Sequence, residues 1–204
     1  MIFTDGFENF NKASPEKRQA VINAGFSCFG RNGYKRTAMS EIAAAAGVSK
    51  PSLFHYFGSK KAMYLYLFRF SCGEIAKRMT PGTSDFFECI WIGCETKMRT
   101  MADYPGMYDF LLSIAMVNDS DLAEELRRCN TGEVKAASDK LYDNVDWSRI
   151  KPEVGKEAAI ELVSYVSSGY IREHAADESA DMIASKLKFY LDLLKRAIYS
   201  DGNV

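Results

Sequence analysis

The chain has 204 residues, 47% of them hydrophobic and 26% charged, with a formal net charge of −1, proportions that suit a soluble globular protein and exclude a mainly disordered one. Five scattered cysteines without a CxxC or a His/Cys zinc spacing point to reduced thiols rather than a disulfide scaffold or a metal site. The longest apolar run, FLLSIAMV at 110–117, falls far short of the roughly 20 residues a membrane helix needs, and the start MIFTDGFENF lacks the basic region of a signal peptide, so the expected address is cytoplasmic.

In chain order, residues 1–13 read as an N-terminal extension, and strand signals are nearly absent throughout, so the predicted fold is all-α. A first long helix starts at Ser14 as N-cap with Pro15 behind it, carries Val21, Ile22, Phe26 and Phe29 on one stripe, and ends near Gly33. Thr37 is the next N-cap candidate, for a short helix with Met39, Ile42, Ala43 and Ala46 inward. Gly47 stops it, Ser49 caps a third helix with Lys50 and Pro51 in its first turn, and Leu53 and Phe57 form that helix's inward face. After Gly58, Ser59 caps a fourth helix running to about Met79, with Met63, Tyr64, Leu67, Phe68 and Ile75 apolar. Beyond TPGT at 80–83, helices are predicted over 84–103, 106–118, 120–144, 154–175 and 179–199.

Charge along this order is uneven. Residues 14–61 hold eight Lys/Arg against Glu16 and Glu41, a surplus of +6, whereas the first thirteen sum to −1 and residues 62–204 to −6. A basic head on an acidic body suggests that the head meets a polyanion.

Two short helices joined by Gly-Val-Ser have the spacing of a helix-turn-helix, whose second helix lies in the major groove. With Leu53 and Phe57 inward, Lys50, Ser52, Phe54, His55 and Tyr56 make an outward reading surface. Lys50 suits a guanine edge or a phosphate, Ser52 donor or acceptor contacts, Phe54 a thymine methyl, and His55 and Tyr56 phosphates and base edges. Lys60, at the positive end of the next helix, and Thr37, at the start of the second, suit phosphates.

The run SEIAAAAGVSKPSLFHYFGSKKAMY after Thr37, with the lead-in AVINAGFSCFGRNGYKRTA, resembles the signature of the tetracycline-repressor (TetR) family of bacterial transcription regulators over about residues 14–70. The resemblance implies a homodimer with an N-terminal three-helix DNA-binding domain (1–63) and a C-terminal helical domain for ligand binding and dimerisation (64–204). The implied function is a repressor that binds a palindromic double-stranded operator and is released by a small-molecule inducer. The family's DNA-contacting positions fall on Thr37, Lys50, Ser52, Phe54, His55, Tyr56 and Lys60. Phe54 stands where many relatives have tyrosine, and Ala38 where a second threonine is common.

In the C-terminal part, Trp91, Cys94, Met98, Met101, Tyr108, Leu111, Leu112 and Met116 are candidate pocket residues, adaptable enough for a small apolar or aromatic ligand. The last two helices can pair as a hairpin that leaves an apolar face for a second copy; Leu162, Tyr165, Val166, Gly169, Leu187, Tyr190, Leu191 and Leu194 are the expected dimer interface. Catalytic motifs are lacking, and His55 and His174 are the only histidines, so no enzyme, cofactor, metal or membrane partner is expected. An alternative keeps the fold but puts a protein partner or cysteine oxidation in place of the inducer.

Overall fold

The computed structural model describes residues 7–80, 82–115, 117, 120–129, 136, 139–174 and 177–200. Among these, the helices are α1 (Glu8–Asn11), α2 (Pro15–Arg36), α3 (Met39–Ala45), α4 (Lys50–Phe57), α5 (Lys60–Arg78), α6 (Phe86–Ala102), α7 (Met107–Ala115), α8 (Ser120–Cys129), α9 (Gly155–His174) and α10 (Ala180–Ile198), with a 3-10 turn at Trp147–Arg149. The described residues contain no strand, only an isolated antiparallel bridge between Ile150 and Tyr199, so the all-α expectation holds. Helix α1 was not expected. Part of the helix predicted over 120–144 lies outside the described residues, and the chain turns at its far end, where Val145 N–H donates to Tyr142 O at 3.1 Å.

Packing divides the chain into two compact units, Met1–Met79 with Thr96–Ser138, and Thr80–Glu95 with Asp139–Val204. In the first unit, Val21, Ile22, Phe26 and Phe29 of α2 meet Met39, Ile42 and Ala43 of α3, Leu53 and Phe57 of α4, and Met63, Tyr64 and Leu67 of α5 in one apolar cluster. Helix α7 adds Met107 and Phe110, and α8 adds Leu122 and Leu126, spaced i, i+4 on one face. Tyr64, where the functional boundary was expected, is fully buried, with its ring 5.0 Å from those of Phe29 and Phe110. Packing therefore does not part the chain there.

Helix α7 lies close against α2 because two glycines make room. A Cβ added to Gly30 would sit 2.8 Å from Asp109 Cβ and 2.9 Å from the Phe110 backbone nitrogen, and one added to Gly106 would sit 2.7 Å from the Ser27 nitrogen. Gly106 also has φ of +80°, a backbone state that side-chain-bearing residues seldom adopt.

The second unit buries Phe86, Phe87 and Cys89 of α6 with Ala159 and Val163 of α9 and Ile183, Leu187, Leu191 and Ile198 of α10. Asp85 caps α6 by accepting from Glu88 N–H at 3.0 Å, and its carboxylate meets Lys195 Nζ at 2.8 Å and an Arg149 nitrogen at 3.1 Å. Burial alone pushes the Asp85 carboxyl up. The Lys195 hydrogen bond, the Glu88 N–H and the two cations outweigh it and hold the group below its ordinary value.

Candidate nucleic-acid interface

Each helix of the α3–α4 pair is too short to be stable alone, so its ends are fixed by local chemistry. After Ala46, Gly47 N–H donates to Ala44 O at 3.2 Å and Val48 N–H to Ala43 O at 3.0 Å, the paired bonds of a Schellman motif. This turn needs the positive φ of Gly47, +65°, and it tucks Val48 against the core. Ser49 then caps α4 by accepting from Ser52 N–H at 3.2 Å, and the two serine hydroxyls lie 2.8 Å apart. Ser59 caps α5 in the same way, accepting from Ala62 N–H at 3.0 Å.

With Leu53 and Phe57 turned inward, α4 presents Lys50, Phe54 and His55 to solvent. Phe54 is 40% exposed, an unusual surface aromatic, and Lys50 Nζ stands 6.0 Å from its ring centre. These three share the outer face of one helix. Ser52 and Tyr56 are half-buried at its sides. Tyr56 leans on the core, 5.4 Å from the Phe10 ring, which leaves one edge of the phenol outward.

Two of the expected contact residues have other occupations. Thr37 is 1% exposed, and its hydroxyl lies 2.8 Å from Gly33 O and 3.0 Å from Cys28 O. The expectation that it caps the next helix is corrected. Ala38 holds that place without a side-chain bond, and the threonine hydroxyl is spent on carbonyls of α2 instead. Lys60 Nζ donates to Lys35 O at 3.2 Å and Thr37 O at 3.1 Å and lies 4.7 Å from the Tyr34 ring centre. It staples the start of α5 to the α2–α3 junction. Lys35 and Arg36, exposed beside that junction, were counted in the basic head but not singled out. Their position at the end of a helix followed by a short helix was the available signal.

The pocket candidates divide between the units. Trp91 and Cys94 belong to the second, where Trp91 Nε1 donates to Glu95 at 3.1 Å and Lys188 Nζ stands 5.6 Å from the indole. Met98, Met101, Tyr108, Leu111 and Leu112 belong to the first. Met98 is exposed, Met101 and Leu111 pack on the first unit's core, and Tyr108 and Leu112 are half-buried. Met116 lies outside the described residues. Among the described residues, no group of three or more His, Cys, Asp or Glu side chains could hold a metal ion, and no helix is long and apolar enough to cross a membrane.

On the last two helices, Leu162 is 39% and Tyr165 71% exposed, and Val166 and Gly169 are half-exposed on the same α9 stripe. Leu187 and Leu191 differ from expectation. They are buried inside their own unit, at 8% and 4%, so they are not on the open face of α10. Met182, Phe189 and Leu193, which spacing did not single out, occupy that face, with Tyr190 and Leu194 half-buried at its margin. Among the described residues outside its own stretch of helix, nothing lies within 4 Å of where a Gly169 Cβ would be.

A family profile described as bacterial regulatory proteins, tetR family, matches residues 21–67. The chain is similar to the HTH-type transcriptional repressor AcnR of Corynebacterium efficiens, with 25% identity over 186 residues, 89% of this chain and 92% of that protein. It is similar to the HTH-type transcriptional regulator RutR of Escherichia coli O157:H7, with 37% identity over 132 residues, 64% of this chain and 60% of that protein. Among solved structures, the fatty acid degradation regulator FadR from Bacillus halodurans superposes with a TM-score of 0.69 at 18% identity, covering 86% of this chain and 96% of that one. A TetR family transcriptional regulator from Chloroflexus aurantiacus gives 0.63 at 18% identity, covering 95% and 98%.

Proposed function

Because this chain belongs to the tetR family of bacterial regulatory proteins and is a DNA-binding regulator of transcription, we propose that it is a cytoplasmic repressor. It binds a palindromic operator as a homodimer and leaves it when a small apolar or aromatic inducer binds the C-terminal part. Residues 1–63 are the DNA-binding domain in this reading, and 64–204 serve ligand binding and dimerisation. The observation that carries it is the α3–turn–α4 unit, in which Lys50, Phe54 and His55 share the exposed face of a capped helix whose other face is anchored by Leu53 and Phe57.

Lys50, Phe54 and His55 reach base edges, and Ser52 and the outer edge of Tyr56 contact the flanks. Lys60 and Thr37 contribute by holding the α2–α3 junction and the start of α5. Dimerisation places two such helices about 34–36 Å apart, one turn of DNA. The open stripe of Leu162, Tyr165, Val166 and Gly169 on α9 and Met182, Phe189 and Leu193 on α10 supports a partner of the same kind, with Gly169 allowing close helix approach. For the inducer, Trp91 and Cys94 of the second unit retain accessible surface for an apolar or aromatic molecule. An inducer acts only through its different affinity for the two head spacings.

Selection of bound duplexes from random DNA tests the reading. Enrichment of an inverted repeat is expected, and Lys50→Ala weakens binding to it by about 1–3 kcal/mol with an unchanged thermal melt. A protein that enriches no sequence refutes the proposal.

A further inference from the structure

We propose that the short helix α1 is a positioning element for α4, acting through Phe10; this rests on the DNA-binding reading above. Phe10 is 0% exposed although its helix has only four residues. Its ring centre lies 5.4 Å from Tyr56 and 4.7 Å from Phe57, the last two residues of α4, and 5.4 Å from Tyr66 of α5. Phe7 adds contacts at 5.6 Å to Phe57 and 5.0 Å to Tyr66. The helix is held in place from its other end, where an Arg18 guanidinium nitrogen donates to Asn11 O at 2.9 Å.

The need for such a support follows from the size of α4. It has eight residues and turns only Leu53 and Phe57 fully into the core, four apart on a single line. A two-turn helix anchored along one line resists roll about it only weakly. Tyr56 projects to one side of that line, and Phe10 closes over it, so α1 blocks the roll. Rolling would displace Lys50 and Phe54 on the opposite side. Base-edge contacts tolerate only about 0.5 Å and 10–20° of misplacement, whereas contacts to the phosphate backbone are less directional. Helix α1 itself carries Glu8 and no cation, which argues for support rather than for an arm on the phosphates.

The experiment uses the full-length protein. Affinities of wild type, Phe10→Ala, Phe10→Leu and Arg18→Met are measured by fluorescence anisotropy on the selected operator and on a random-sequence duplex of equal length, alongside thermal melts. Phe10→Ala is expected to lose about tenfold on the operator and less than about twofold on the random duplex, with Phe10→Leu recovering most of the difference. Arg18→Met removes an exposed tether and leaves the core intact. It is expected to shift the ratio the same way by about threefold, and it decides the matter if Phe10→Ala does not fold. Equal losses on the two duplexes, or an unchanged ratio in the folded variants, overturn the positioning role while leaving the DNA-binding reading in place. A wild-type protein that selects no duplex overturns both.

Discussion

The helix-turn-helix region and the α9–α10 hairpin treat their apolar residues in opposite ways. In the first, the apolar faces of α2, α3 and α4 are closed within the chain, and Phe54 is the one large apolar side chain of the region left exposed. In the second, Leu162, Tyr165, Met182, Phe189 and Leu193 all stay exposed on two helices. A lone outward aromatic beside a lysine suits a polar, edge-rich partner such as a DNA groove. A continuous stripe of outward apolar residues suits another protein surface of like composition.

The sharpest test of that contrast sets two faces of α10 against each other. Leu191→Asp puts a carboxylate into the buried side and costs on the order of 4 kcal/mol, seen as a large drop in the thermal midpoint. Phe189→Asp, on the open side, is expected to keep the helical circular dichroism and yield monomers in light scattering, with operator affinity lost. A folded Phe189→Asp dimer would remove this face from the interface. On the closed side of the comparison, Gly30→Ala forces a methyl group against the α7 backbone. A destabilisation of about 1–3 kcal/mol is expected, because backbone cannot swing aside as a flexible side chain does; calorimetry reads it.

The smallest effect is that of pH. Asp85 has a lowered folded-state value, so its contribution to the second unit is complete above the unfolded value of about 3.9 and is lost as pH falls through the lowered one. Asp85→Asn is expected to flatten the acid limb of the stability curve measured below about pH 4. An unchanged limb would show that the Lys195 and Arg149 contacts carry no linkage.

Much of the head was readable before its coordinates, because short helices depend on local signals. Ser14, Ser49 and Ser59 are the N-caps that their positions suggested, and Gly47 ends α3 where a stop was expected. What could not be read depends on distant partners. Helix α1 is too short for any periodicity, and its burial rests on Tyr56, Phe57 and Tyr66, more than forty residues further on by sequence number. Thr37 and Lys60 look like surface donors, yet nearby carbonyls claim both. On α10, apolar residues lie on two faces, and spacing cannot say which one meets its own chain. Spacing therefore puts Leu187 and Leu191 on the outward face, whereas they are buried and Met182, Phe189 and Leu193 are exposed.

Gly30 and Gly106 let two backbones meet with no side chain between them. Such a joint has no cushion. A push from α7 toward α2 finds nothing soft to squeeze, so the pair resists compression and yields only by sliding or parting. A single methyl group added at either glycine would act as a shim, turning a stiff hinge plate into a wedge under the first helix of the head.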